Sequence, residues 1–143
     1  TGLPKSRAKP TTENTWAWDE CRPLSVAIVE FEDDTVVNEY YQLVYPDTFE
    51  VKATEIHGIT EYDAKSKGVP FSCVYNYFST MVDVYTKVVG HNLKFDLDVM
   101  KSEAIRRGLD TSISSNMSKR SRSRSITSSS LSSRASTTPV VAR

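Results

Sequence analysis

What this sequence has little of narrows it first. Two cysteines occur in 143 residues, Cys21 and Cys73, with no Cys-x-x-Cys spacing. A pair in a domain of this size builds no disulfide framework, so a reducing, intracellular compartment, cytoplasmic or nuclear, is the expectation. No stretch approaches the roughly 18 apolar residues that a membrane helix needs, so no membrane partner is expected. The opening TGLPKSRAKP lacks the apolar centre of a secretory signal. Histidine is confined to His57 and His91, and no internal repeat is visible. Acid is missing from one end: residues 111–143 hold six Lys and Arg and no Asp or Glu.

That last absence explains a deceptive total. The chain carries 18 basic and 18 acidic residues. Residues 1–110 hold all 18 acids against 12 bases, a balance of −6, and the remainder is +6. An acidic body therefore joins a basic tail. The body suits one domain. The tail, 111–143, contains 13 Ser and 4 Thr around the run SKRSRSRS at 118–125. It cannot bury enough apolar surface to offset the entropy of ordering, so it reads as disordered.

Within the body, residues 1–20 read as loop. PLSVAIVEF from Pro23 alternates Leu24, Val26 and Ile28 with Ala27, Val29 and Phe31. Both faces are apolar, which predicts a strand covered on both sides. EDDT is a turn signal, and VVNEYYQLVY completes an antiparallel hairpin. Residues 47–60 read as irregular. Thr60 caps a short helix through Ala64, and Glu61 and Asp63 suit its positive end. Phe71, Val74, Tyr75, Phe78, Met81, Val82 and Tyr85 form the i, i+3, i+4, i+7 stripe of an amphipathic helix over 69–85. Residues 87–89 make a short buried strand. Asn92 caps a last helix from Leu93 to Arg107, and Gly108 stops it. The order β-β-α-α-β-α predicts a mixed α/β layer.

The chemically informative segment is GHNLKFDLDVM, 90–100. A buried strand feeds a helix whose first turn carries Asp96, beside the strand's carboxyl end, where open α/β sheets bind ligands. Asp96 is either a metal-binding carboxylate or an acid complementing the helix dipole. Asp98 points about 200° away from it. Glu103 shares its face but lies about 10 Å further along the axis, too far to share one ion. EIHGIT, 55–60, places His57 and Gly58 at a loop-to-helix junction, as a ligand contact or as a plain turn.

Together these segments resemble the DnaQ-like, DEDDh group of 3′–5′ exonucleases. TGLP at the start looks like the end of that family's first motif, Asp-x-Glu-Thr-Thr-Gly-Leu-Pro. IHGIT at 56–60 is similar to its His-Gly-Ile-Thr loop. HNLKFD at 91–96 is similar to its second motif, His-Asn-x-x-Phe-Asp. The resemblance covers about residues 1–109. It implies a ribonuclease H-like mixed sheet flanked by helices, and hydrolysis of phosphodiester bonds at the 3′ end of single-stranded DNA or RNA. It makes Asp96 a catalytic carboxylate and metal ligand. Thr1, Gly2, Leu3, His57 and Asn92 become substrate-binding positions, and the cofactor two Mg²⁺ or Mn²⁺ ions.

The sequence departs from that family in two places. The Asp and Glu of the first motif would precede Thr1. The third motif, His-x-x-x-x-Asp, should follow residue 110, where no histidine occurs. By the same comparison the first strand, in the middle of the sheet, and the last strand and helix are missing. The hairpin and the strand at 87–89 would then lack the strand that joins them, so the isolated chain should be marginally folded or need a partner. The expectation is a partial exonuclease domain at 1–110, inactive as given, with a basic tail at 111–143. The rival expectation is a non-catalytic nucleic-acid-binding module that uses the Ser/Arg tail. That tail also reads as a compositional break of the kind a frameshift or unspliced intron leaves.

Overall fold

Alternating apolar residues and a two-residue acidic turn build the first sheet element. The computed structural model describes residues 2–82, 87–113 and 140–142. Strand β1, Ser25–Glu32, pairs antiparallel with β2, Thr35–Leu43. The turn between them places Asp33 and Asp34 at φ 47° and 63°, both left-handed. Two left-handed residues give the turn whose twist matches that of the flanking strands. A register shift between Glu30 and Phe31 adds one extra residue to the pair.

Three helices follow the hairpin. Helix α1, Thr54–His57, is a single turn inside the stretch expected to be irregular. Helix α2, Glu61–Lys67, begins at Thr60 as predicted. The Thr60 hydroxyl accepts from the Asp63 N–H at 3.0 Å, and the Asp63 carboxylate accepts from Thr60 in return. Helix α3, Phe71–Met81, is shorter at both ends than the sequence predicts. Pro70 holds its start, and Val82 is already extended. Tyr85, the last residue of the predicted stripe, lies outside the described residues.

Strand β3, Lys87–Val89, and helix α4, Leu93–Arg106, form where predicted, but β3 is not the buried strand expected: Lys87 is exposed and Val88 and Val89 are half-buried. The main core joins Val26 and Ile28 of β1 to Phe71, Val74, Tyr75 and Phe78 of α3, and to Leu97, Met100 and Ala104 of α4. Full burial of each large apolar side chain contributes about 1.5–3 kcal/mol. Tyr77 of α3 stacks on Tyr40 of β2 at 3.9 Å between ring centroids, fixing the helix over the hairpin. The opposite flank of α4, Phe95 and Val99, packs on Ala17, Trp18 and Cys21. Residues 15–18 form a 3-10 turn within the predicted loop.

Two expectations about the sheet are corrected. Strand β1 is not equally covered on both sides. Val26 and Ile28 are buried, whereas Ala27, Val29 and Phe31 on the other face are only half-buried and join neither core cluster. Among the described residues, α3 and α4 pack on the Val26 and Ile28 face. The second correction concerns the tail. Val140–Ala142, inside the segment expected to be disordered, forms strand β4. The sheet order is β2-β1-β4-β3, with β4 parallel to β1 and antiparallel to β3. The gap expected between hairpin and β3 is thus occupied by three residues, because two facing strand edges offer unpaired backbone groups to any extended segment within reach. The basic run 118–125 lies outside the described residues. The architecture is a mixed α/β layer, and no helix among the described residues is long and apolar enough to cross a membrane.

Candidate functional site

Helix α4 starts at Leu93, four residues after the end of β3, with Asn92 at its N-cap position. The Asn92 carbonyl accepts from the Phe95 and Asp96 N–H groups at 2.8 and 3.2 Å. Its side chain was expected to cap the helix. It instead stands exposed and forms no capping bond. His91 beside it is exposed as well.

Asp96 faces inward from this first turn. It is 6% exposed, and its Oδ1 has no hydrogen-bond partner among the described residues. Burial pushes its carboxyl up to about 6, and the nearby His91 opposes that rise without cancelling it. An acid that merely complements the helix dipole sits at the surface and ionises readily. Asp96 is buried instead. Asp98, two residues on, contrasts with it by accepting from the Lys94 Nζ at 3.2 Å. The two acids point to different surroundings, as helical spacing requires.

The His57 loop has its own internal logic. The Ile59 N–H donates to His57 Nδ1 at 3.1 Å, so Nδ1 is the unprotonated nitrogen. Nε2 then carries the proton and donates to the Lys52 carbonyl at 2.7 Å. Both ring nitrogens brace the turn from Lys52 to Ile59. Gly58 closes α1 at φ 73°, and Ala53 opens it at φ 60°, a conformation side chains rarely adopt.

Near the chain start, the Gly2 N–H donates to the Glu20 carbonyl at 2.7 Å, and the Cys21 thiol donates to the Gly2 carbonyl at 3.1 Å. A Cβ at Gly2 would lie 2.9 Å from the Glu20 Cβ, so this close approach needs glycine. Leu3 is 84% exposed, and Thr1 lies outside the described residues. Gly2, Lys52 and Ala53 line one cleft of about 840 Å³ with Arg22, Phe49, Arg106 and Arg107. Asp96 and Asn92 do not line it. The predicted residues thus fall into two places. Gly2 belongs to the cleft, whose Lys52 wall His57 braces, and Asn92 and Asp96 form the start of α4.

Sequence reasoning missed the buried ionic cluster in the wall of the cleft. Glu103 is 1% exposed and accepts from Arg22, Arg106 and Arg107 at 2.8–3.1 Å. Arg107 also grips Asp47 with two bonds of 2.6 and 2.7 Å, holding the Asp47 carboxyl below its usual range. Arg106 reaches Asp19, and Arg22 lies over the Phe49 ring at 4.7 Å. The i, i+3 and i, i+4 spacing of Glu103 to Arg106 and Arg107 was legible. The contact to Arg22, 81 residues away, was not.

A two-ion centre needs several oxygen ligands for each ion. Among the described residues, no three of His, Cys, Asp or Glu come together as a metal-binding group. Asp96 has no second carboxylate grouped with it among them, so the described residues do not fit two ions. Compared with family models, curated proteins and solved structures, the chain matches none.

Proposed function

We propose that residues 1–109 are part of a ribonuclease H-like, DEDDh-type 3′–5′ exonuclease domain acting on single-stranded DNA or RNA ends. Asp96 is one of the carboxylates that hold its Mg²⁺ or Mn²⁺ ions, and residues 1–143 alone do not cut. The observation that carries this reading is Asp96 itself. A buried carboxylate with a bare oxygen, at a strand-to-helix junction, does nothing for stability that a neutral side chain would not do better. Such a group has its use where a cation arrives to pair with it. The order TGLP, HGIT, HNLKFD supports the same reading. One carboxylate does not hold two ions, so no hydrolytic step is assigned to this chain.

The test follows Asp96 directly. Carboxyl ¹³C NMR should show its titration near pH 6, and 10–50 mM Mg²⁺, on the order of what one carboxylate binds weakly, should move that titration to lower pH. No displacement at saturating Mg²⁺ refutes the metal-ligand role. In parallel, the purified chain should leave 5′-labelled single-stranded DNA and RNA intact with Mg²⁺ or Mn²⁺. Shortening from the 3′ end that Asp96→Ala abolishes refutes the claim of inactivity.

A second reading rests on the basic Ser/Arg run at 118–125, which suits RNA phosphates in a non-catalytic binding module. That reading expects RNA affinity that falls steeply with salt and disappears when Lys119, Arg120, Arg122 and Arg124 are all changed to glutamine.

A further inference from the structure

The segment before the 3-10 turn carries three cations at alternate positions, Lys5, Arg7 and Lys9, and all three are exposed. Four residues of chain span at most about 14 Å, so these charges stay on one short stretch. The stretch is pinned at both ends. The Lys5 N–H donates to the Ala17 carbonyl at 2.8 Å. At the other end the Asn14 side chain donates to the Lys9 carbonyl at 2.9 Å and accepts from the Thr11 N–H at 2.7 Å, beside the fully buried Pro10. Lys5 is thereby tied to the residue next to Trp16.

Trp16 faces away from the core. Ala17 and Trp18, in the same turn, are buried against Phe95 and Val99, whereas Trp16 is 59% exposed. Tryptophan is highly buried on average, and one open indole alone would need no explanation. This one stands a single residue from the anchor of a basic stretch. The acids that follow are answered inside the fold. Asp19 pairs with Arg106 and Glu20 with Lys52, so the segment counts one further acid, Glu13, against its three bases. The result is a local basic surface on an acidic body.

We propose that Lys5, Arg7, Lys9 and Trp16 form a binding track for a single strand of nucleic acid, with the cations on its phosphates and a base stacked on the indole. Cations on a pinned segment hold a phosphate backbone of any sequence, and an aromatic face accepts any base. The family resemblance assigns substrate contacts to Thr1, Gly2, Leu3, His57 and Asn92 and none to this track. The choice of partner rests on the single-strand reading above, but the track acts by binding alone and does not use Asp96.

Binding is therefore measured in EDTA, so that its failure and a failure of the metal role of Asp96 are read separately. The chain has two tryptophans, and Trp18 is 3% exposed, so quenching of fluorescence by oligothymidylate or oligouridylate of about 12 nucleotides reports on Trp16. The full chain with Lys119, Arg120, Arg122 and Arg124 changed to glutamine removes the contribution of the tail and should still bind both oligomers. In that background Trp16→Ala should weaken binding about tenfold, and Trp16→Tyr should restore it. Changing Lys5, Arg7 and Lys9 to glutamine should lower the slope of log affinity against log salt by about 2, over about 50–200 mM NaCl. Binding of neither oligomer by the tail-substituted chain, or binding indifferent to both sets of changes, overturns the proposal. The unsubstituted chain gives a reading that does not depend on any variant folding. Saturating oligothymidylate should shift the amide resonances of Lys5 and Arg7 and the indole resonance of Trp16, and unmoved resonances overturn the proposal.

Discussion

Asp96 and Glu103 lie on the same face of α4 and are both buried, at 6% and 1% exposure, yet only Glu103 is neutralised. Three guanidinium groups surround Glu103, and Asp96 Oδ1 has no partner among the described residues. Two turns of helix, about 10 Å, separate a carboxylate tied into an ionic cluster from one whose Oδ1 is bare among the described residues.

The first prediction concerns the unpaired acid. The Asp96 carboxyl lies at about 6 in the folded chain against an ordinary 3.8. Between those values the folded state holds more protons than the unfolded state. Stability from this group is therefore fully present below about pH 4 and is lost as pH rises through 6, by up to about 3 kcal/mol. Asp96→Asn should flatten that dependence and raise stability at pH 7.5 by about 1–3 kcal/mol in urea denaturation. A variant no more stable than the parent at pH 7.5 would mean that the carboxylate is already paired.

Glu103 should behave in the opposite way. Removing one member of a buried ionic cluster leaves the other charges uncompensated, at a cost of about 3–5 kcal/mol. Glu103→Ala should lower stability by that amount, and Arg22 should couple to Glu103 in a double-mutant cycle. Purely additive losses would show that the contact between the chain start and α4 contributes nothing.

The hairpin turn is strained by its residues. Left-handed backbone costs a residue with a side chain about 1–2 kcal/mol relative to glycine, and the flexibility of glycine in the unfolded chain returns part of that. Asp34→Gly should raise stability by about 0.5–1 kcal/mol, read from the thermal midpoint. A lower midpoint would place another interaction on the Asp34 side chain.

His57 is predicted to hold its own loop. His57→Phe removes the acceptor for the Ile59 N–H and the donor to the Lys52 carbonyl. Amide exchange at Ile59 should accelerate about tenfold, on the scale of one lost hydrogen bond. Unchanged exchange would free the imidazole for an external ligand.

Period and turn chemistry made most of the fold legible. The α3 stripe, the α2 cap at Thr60 and the EDDT hairpin each depend on contacts a few residues apart, and local spacing encodes those directly. The site was legible only in part. HNLKFD marked Asp96, but sequence could not tell a buried bare carboxylate from an exposed helix-end acid, because burial depends on what other elements bring against it.

The sequence by itself determined the hairpin, the helices α2, α3 and α4, the strand β3, the acidic body and the basic tail, since propensity, alternation and charge are properties of neighbours along the chain. Only the tertiary structure decided that Arg22 meets Glu103, that β1 is buried on one face and half-buried on the other, and that Val140–Ala142 enters the middle of the sheet. Those outcomes rest on groups far apart in the chain competing for the same buried space and unpaired backbone, and no local pattern records which of them prevails.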